Sequence, residues 1–359
     1  MNLQRWILVA LVTMCVTAQA TVRTVNQFGT AAFSTVQAAI NAAVTGDTIL
    51  IAPGTYAENL IVSGKVLNVI GAGWDLSIVS GQYQIGSNTG GSVTEGLYLF
   101  TGGQTFVVTQ LTADSSTVRR CRIRGGGTTV NLAATRRYFV EDCQITSDAN
   151  GILISVPTAI NATLVVKGCV LSYLSASQGS TIYFNGINGS PVEITNCTFV
   201  SVRNPFNLTG SQPVIAINNI FYDWTATPTW GTFLAGSVFD YNASDATAPA
   251  IPGSFTNHIL LGANDPFVNY DEALNFQDVI SDLHLNGGAG GLALTDTGHP
   301  LIFDVDATRS DVGAYGGPRP LVDFGIPAFP FVTSLTVPSL IESGDDLNVN
   351  STGRVGPRY

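Results

Sequence analysis

Arg119, Arg120, Arg122 and Arg124 stand within six residues of one another, Arg136 and Arg137 follow shortly, and Lys167 comes after them. If these segments are strands, alternation sends Arg122 and Arg124 outward while Cys121 and Ile123 point inward. Stacked outward cations would attract an anionic polymer. Lys167 or an arginine could also supply the base with which a lyase takes the proton beside a uronate carboxylate, while its neighbours neutralise the charge. Arg122, Arg124, Arg136, Arg137 and Lys167 are therefore the candidate glycan-binding residues. The competing reading is a solvated face paired with Glu141 and Asp142.

Acids gather elsewhere. Residues 204–310 hold eleven Asp and Glu, one Arg and no Lys, so an anionic glycan is expected to engage the coils from Arg119 to Lys167 and avoid the later ones. Asp304, Asp306 and Asp311 offer hard oxygen ligands to calcium. The loop lacks the turn glycine and terminal Glu of an EF-hand, and Arg309 could neutralise these acids instead. Calcium is the one cofactor indicated, and neither binding nor cleavage of a glycan requires it here. Tyr222, Trp224, Trp230, Phe233 and Tyr241 cluster next. Trp224 and Trp230 are candidate sugar-stacking rings, against the alternative that the cluster packs a loop onto the body.

The elements that must position these groups repeat. A phrase of apolar, any, turn residue, Cys, any, apolar occurs at Val118–Ile123, Val140–Ile145, Val166–Leu171 and Ile194–Phe199, and continues at Ile217–Tyr222 with Ile220 in the cysteine slot. A unit this short cannot bury its own apolar face, so successive units must stack, and strand-turn units of this size stack as a parallel β-helix. Residues at one phase then form columns, and Cys121, Cys143, Cys169 and Cys197 should make one interior ladder. Parallel Cβ vectors would have to bend to form disulfides, so these are read as buried free thiols. Ahead of the repeats, Phe33 to Ala43 has helical spacing, with Ser34 or Thr35 as N-cap.

Composition agrees. Of 359 residues 45% are hydrophobic, 11% are charged and 38 are glycine, with a net charge of −10. This favours a large, turn-rich β fold over a helical bundle and weighs against nucleic acid or an anionic membrane as partner. Residues 1–20 read as a secretory signal: Arg5, an apolar run from Trp6 to Val16, and Ala18-Gln19-Ala20 before the cleavage point. That run is too short to span a bilayer, and no later stretch is a transmembrane candidate. The expected protein is thus secreted or displayed at the cell surface.

Three stretches carry a resemblance to the right-handed parallel β-helix, or pectin-lyase-like, superfamily of bacterial exported proteins. Phe33 to Gly73, with Gly46-Asp47-Thr48-Ile49 and Pro53-Gly54-Thr55-Tyr56-Ala57-Glu58-Asn59, resembles its N-terminal cap and first coils. The Asn-Cys and Asn-Asn-Ile-Phe turns resemble its middle coils, and Asp304 to Pro318 resembles its ending. The resemblance implies an all-β, right-handed single-stranded β-helix of roughly ten to twelve coils, with a short N-terminal capping helix and a C-terminal β tail. Expected boundaries are 1–20 for the signal, 21–47 for the cap, 48–318 for the β-helix and 319–359 for a Pro-rich β tail or cap, with strands at Phe331–Val337 and Leu347–Val349. Gly54 to Glu58 is similar to the first motif of pectin methylesterases, but the paired Asp motifs of those enzymes have no counterpart in the middle coils. Polygalacturonase-like hydrolases set a His among stacked Asp, whereas His258, His284 and His299 fall outside the cysteine-marked coils. The resulting reading is an exported protein that binds polysaccharide, with a polysaccharide lyase or glycoside hydrolase acting on acidic glycans as the alternative.

Overall fold

The computed structural model describes residues 20–100, 106–108, 115–132, 137–149, 151–160, 163–174, 180–187, 191–208, 212–224, 233–245, 254–338, 343–344 and 346–356. Three parallel sheets wind into a right-handed solenoid. The first has 11 strands, from Val22–Val25 to Ser254–Thr256, the second has 10, from Gly54–Tyr56 to Ile259–Leu260, and the third has 7, from Leu60–Val62 to Asn204–Leu208. Among the described residues, the longest face falls within the expected ten to twelve coils, while complete three-sided coils number seven.

From the strand Val93–Glu95 onward, each coil leaves the first sheet through a single left-handed residue and enters the second. That position is Gly96, Arg120, Asp142, Gly168, Asn196, Asn218, Tyr241 and Asn257 in successive coils, all with φ between +50° and +67°. The next residue points into the cylinder, where Cys121, Cys143, Cys169 and Cys197 are fully buried as free thiols. The ladder is the expected one, and burial pushes the Cys121 thiol up to about 12.

One register differs from expectation. Ile194 pairs with Ala216 and Thr198 with Ile220, so Asn219 and not Ile220 fills the cysteine slot. The small Ala216 takes the apolar position that the repeat seemed to assign to Ile217. An amide is tolerated there because it is fully satisfied. Asn219 Nδ2 donates to the Ile194 carbonyl at 2.9 Å, and its Oδ1 accepts from the Cys197 amide at 2.9 Å. Asn242 repeats the arrangement one coil later, donating to the Ala216 carbonyl.

The cap helix is Val36–Ala42, with Thr35 as its N-cap and Val36, Ala39 and Ile40 buried. The Glu58 carboxylate accepts from the Val36 and Gln37 amides at 2.9 and 3.0 Å, complementing the positive helix end. Lys65 closes the other end on the Ile40 and Ala43 carbonyls.

Coils were expected as far as residue 318, but parallel stacking ends at Ile259–Leu260. The chain then turns back. Phe267–Asn269 pairs antiparallel with Asp282–Leu285 against the second sheet, and residues 295–326 run as a strap along the left-handed turn column toward the N-terminal coils. Asn196 donates to Ser310 and to the Asp311 carbonyl, Asn218 accepts from the His299 amide, and Arg319 reaches Glu141. The strap ends at Gly325, whose φ of +56° and close approach to the Arg120 carbonyl leave no room for a Cβ. A final ribbon pairs Phe331–Thr336 with Asn350–Arg354, later than the expected Leu347–Val349. Its position is fixed by the burial of Phe331 and by Arg354 on Asp75 at 2.7 Å, contacts that Leu347 and Val349, both exposed, do not make.

Under the strap, Asp142 is buried, and its Oδ1 has no hydrogen-bond partner among the described residues. Desolvation, with the neighbouring Cys169 and Glu141, pushes its carboxyl up to about 8. Between about pH 4, where an unfolded Asp titrates, and pH 8, the native state keeps a proton that the unfolded state has lost, so this group lowers stability as pH rises. Asp142→Asn keeps a residue that accepts the left-handed turn and removes the penalty. The variant should melt above wild type, with a larger gain at pH 8 than at pH 5, in paired thermal melts; equal gains would refute this assignment. Thiol titration of denatured, unreduced protein lacking the leader should separately find all four cysteines reactive.

Candidate functional site

The turn-back creates a cleft of about 650 Å³ between the solenoid, the antiparallel pair and the strap. The second sheet contributes Arg122 and Gln144, the adjoining turn Trp74 and Asp75, the antiparallel pair Asn269, Asp282 and His284, the loop between its strands Asp278, and the strap Tyr315, Asp323 and Phe324. At its centre His284 Nδ1 lies 2.7 Å from Asp282 Oδ1, and Nε2 faces Asp323 at 3.9 Å. The imidazole lies against Tyr315, with ring centroids 3.7 Å apart and planes tilted by 31°. Burial raises the Asp282 carboxyl, but hydrogen bonds from the His284 amide and ring outweigh it and hold the group below the usual range. Burial, reinforced by Asp323 and Asp282, keeps Tyr315 protonated. With Nδ1 donating to Asp282, neutral His284 presents an acceptor at Nε2; protonated, it is a cation between two carboxylates. The cleft thus joins aromatic surface to convergent hydrogen-bonding groups, as a hydroxylated ligand requires.

The predicted cations divide among faces. In the strand Arg122–Gly125 the alternation is as expected, with Ile123 buried and Arg122 and Arg124 outward. They do not face open solvent, because the loop 277–281 covers them. Arg122 and Arg124 both pair with Asp278, the latter at 3.2 Å, and Arg124 also pairs with Asp148 at 2.8 Å. Arg137 and Lys167 emerge from the first sheet, so no single groove holds them with Arg122 and Arg124. Arg137 is exposed, and Lys167 lies 3.7 Å from Glu193. Arg136 is outside the described residues. Arg119 and Arg120 share the buried Glu95. The basic face is therefore largely neutralised within the protein, by acids other than the expected Asp142, while Glu141 is taken by Arg319.

Trp224 ends the strand Ile220–Trp224, and Trp230 lies outside the described residues. Of their neighbours, Phe233 is buried in the core and Tyr222 donates from its hydroxyl to Glu272 at 2.6 Å. The acidic trio is regrouped. Asp304 and Asp311 come together with Asp296, ligand atoms lying within 4.8 Å of one another, and among the described residues these three could hold a cation. Asp306 instead accepts from the amide and hydroxyl of Thr308. Backbone amides already bind this cluster: Asp304 accepts from Asp311 and Gly317, and Asp311 from Asp296. Burial and mutual repulsion push Asp304 and Asp311 up. Arg309 turns away to the Thr297 and Gly298 carbonyls and the Tyr241 ring.

The groups that sequence reasoning passed over are Asp278, Asp282, His284, Tyr315 and Asp323. Asp282-x-His284 was a usable signal, since alternation on one strand puts both side chains on one face. The division of the cations has a measurable consequence. Arg122→Gln removes one of the two guanidiniums paired with the buried Asp278 carboxylate and should cost about 1.5 kcal/mol in denaturant unfolding, whereas Arg137→Gln and Lys167→Gln should stay within about 0.5 kcal/mol of wild type. Comparable losses at all three positions would contradict it.

The family model for a right handed beta helix region matches residues 81–221. No curated protein matches the chain. Among solved structures, the deglycosylated pectin methylesterase from Aspergillus niger is 17% identical, with 69% of this chain and 88% of that one covered and a TM-score of 0.43. Pectate lyase Pel9A is 12% identical over 84% of this chain and 97% of that one, TM-score 0.44. The PL6 family alginate lyase AlyGC is 12% identical over 62% and 45%, TM-score 0.33. These likenesses are of fold alone. The three stacked parallel sheets give the chain a right-handed parallel β-helix fold, and the family match lies within its middle coils.

Proposed function

We propose that this protein is exported by its N-terminal leader and binds polysaccharide outside the cell or at its surface, in the cleft closed by the returning chain. The observation that carries the reading is the centre of that cleft, where the Tyr315 ring lies against His284 between Asp282 and Asp323. A ring face packs a sugar's C–H surface, while carboxylates and imidazole accept and donate to its hydroxyls. The stack of coils suits a polymer, because successive sugars can follow a rigid surface where the returning chain leaves it uncovered. Since Arg122 and Arg124 are engaged by Asp278, while Asp282 and Asp323 remain beside His284, a neutral glycan fits the closed cleft better than a polyuronate.

One observation favours the catalytic alternative: Asp282 orients His284, which could shuttle a proton at Nε2. Both readings are tested by one experiment. The full chain without its leader is run through gels containing neutral or acidic polysaccharides, and the same mixtures are assayed for new reducing and unsaturated ends. Retention by a neutral polysaccharide without new ends, weakened about tenfold by Tyr315→Ala, a change of about 1.4 kcal/mol, is expected. New ends abolished by His284→Ala would replace binding with cleavage. Absence of retention by every polymer would overturn both.

A further inference from the structure

We infer that Arg122, Arg124 and Gln144 form a carboxylate-binding socket on the second sheet, filled in this structure by the protein's own Asp278, and that a carboxylated sugar can take the place of that side chain. The socket is built by the coils. Arg122 and Gln144 are directly paired across adjacent strands, and Arg124 lies two residues along the same outward row. Arg122 and Arg124 donate to Asp278 Oδ2, and Gln144 Nε2 donates to Oδ1 at 2.6 Å. The arginines are held from below by rings one coil earlier: the Arg122 guanidinium lies 4.4 Å from the Tyr98 centroid and that of Arg124 lies 5.6 Å from Phe100. Two guanidiniums and an amide converging on one carboxylate make a recognition set for that group. Arg122 Nε is buried with no hydrogen-bond partner among the described residues, so the set is not exhausted by Asp278.

The covering loop is attached mainly by this one acid. Asp278 is 7% exposed, yet the next two residues, Val279 and Ile280, are 87% and 63% exposed. A tip that buries its carboxylate and leaves its aliphatic side chains in water gains little from apolar burial. Apart from the Asn269 side-chain amide, which donates to the Ile280 carbonyl at 2.9 Å, it is self-contained. The Ile280 and Ser281 amides donate to the Gln277 carbonyl, and the Gln277 amide donates to Ser281 Oγ. Lifting the tip therefore breaks the socket contacts while leaving the core packed, a local opening of the kind surface loops undergo. Asp278 competes as a tethered ligand at an effective concentration in the millimolar range, which weakens carboxylated ligands in the wild-type protein without excluding them.

Asp278→Ala empties the socket, and acetate then serves as the smallest probe. In full-length protein without its leader, sodium acetate should raise the melting temperature of Asp278→Ala saturably and by several degrees more than sodium chloride at equal ionic strength. Wild type and the double variant Arg122→Gln/Asp278→Ala should respond equally to the two salts. Asp278→Asn, which preserves shape, supplies the second arm: its affinity for an oligogalacturonate should exceed that of wild type by roughly tenfold and be lost with Arg122→Gln. Acetate and chloride acting alike on Asp278→Ala, or unchanged oligogalacturonate affinity in Asp278→Asn, would overturn the proposal. An acetate response without oligogalacturonate binding would confine the socket to small carboxylates and overturn the sugar as its ligand. The sugar rests on the reading of the cleft as a glycan site, whereas the acetate arm does not; neutral-glycan retention can fail while the socket stands.

Discussion

From Val93–Glu95 onward the coils depend on one backbone constraint, a single residue held in the left-handed region between the first and second sheets. The turn lets the chain change direction in one residue and still present the next side chain to the interior, so it fixes the phase of the cysteine and asparagine column. Gly, Asn and Asp meet the requirement at little cost, while Arg120 and Tyr241 adopt it against their preference. The strap accounts for Arg120, which reaches Glu95 and the Ile326 carbonyl. This turn carries charge because it anchors the returning chain.

That returning chain makes the solenoid more than a stack. A bare β-helix has similar outer faces along its length, with no preferred place for a ligand. Here residues 261–326 cover the second sheet and the turn column, and the cleft exists only where the covering is incomplete. Its polar floor belongs to the coils and its ring and histidine to the cover, so the site requires both. The latches are polar: Tyr270 and Ser201 meet at Asp223, Tyr222 donates to Glu272, and Asp278 enters the arginine socket. Polar latches give register and position at modest net stability, since each exchanges water for a protein partner.

Much of the solenoid was legible because stacking imposes a strict pattern. Val118, Val140, Val166 and Ile194 lie in one buried column and each cysteine three residues on lies in the next. The pattern weakened where a polar residue entered a core column. Asn219 broke the expectation of an apolar slot because backbone groups of neighbouring coils satisfy it, information that one coil's sequence does not contain. The site was less legible for a related reason. Outward alternation of Arg122 and Arg124 follows from local sequence, but their partner Asp278 is more than 150 residues away and reaches them only because the chain reverses. His284 was set aside as lying beyond the coils, and it belongs to the segment that closes over them.

The same reversal changes what the uneven charge distribution means. Read along the chain, a basic stretch at 119–167 and an acidic stretch at 204–308 look like two poles, one inviting an anion and the other repelling it. Folding back superimposes them. Asp278 meets Arg122 and Arg124 across the second sheet, and the traffic also runs the other way, since Arg319 and Arg354 from the C-terminal region neutralise Glu141 and Asp75 on the coils. Segregated charge in a linear sequence thus acts as an internal attraction that guides the returning segment onto the solenoid. What is left for a ligand is the difference between opposed charges that already touch, and that difference is set locally, by which carboxylate can leave and which cation it would uncover.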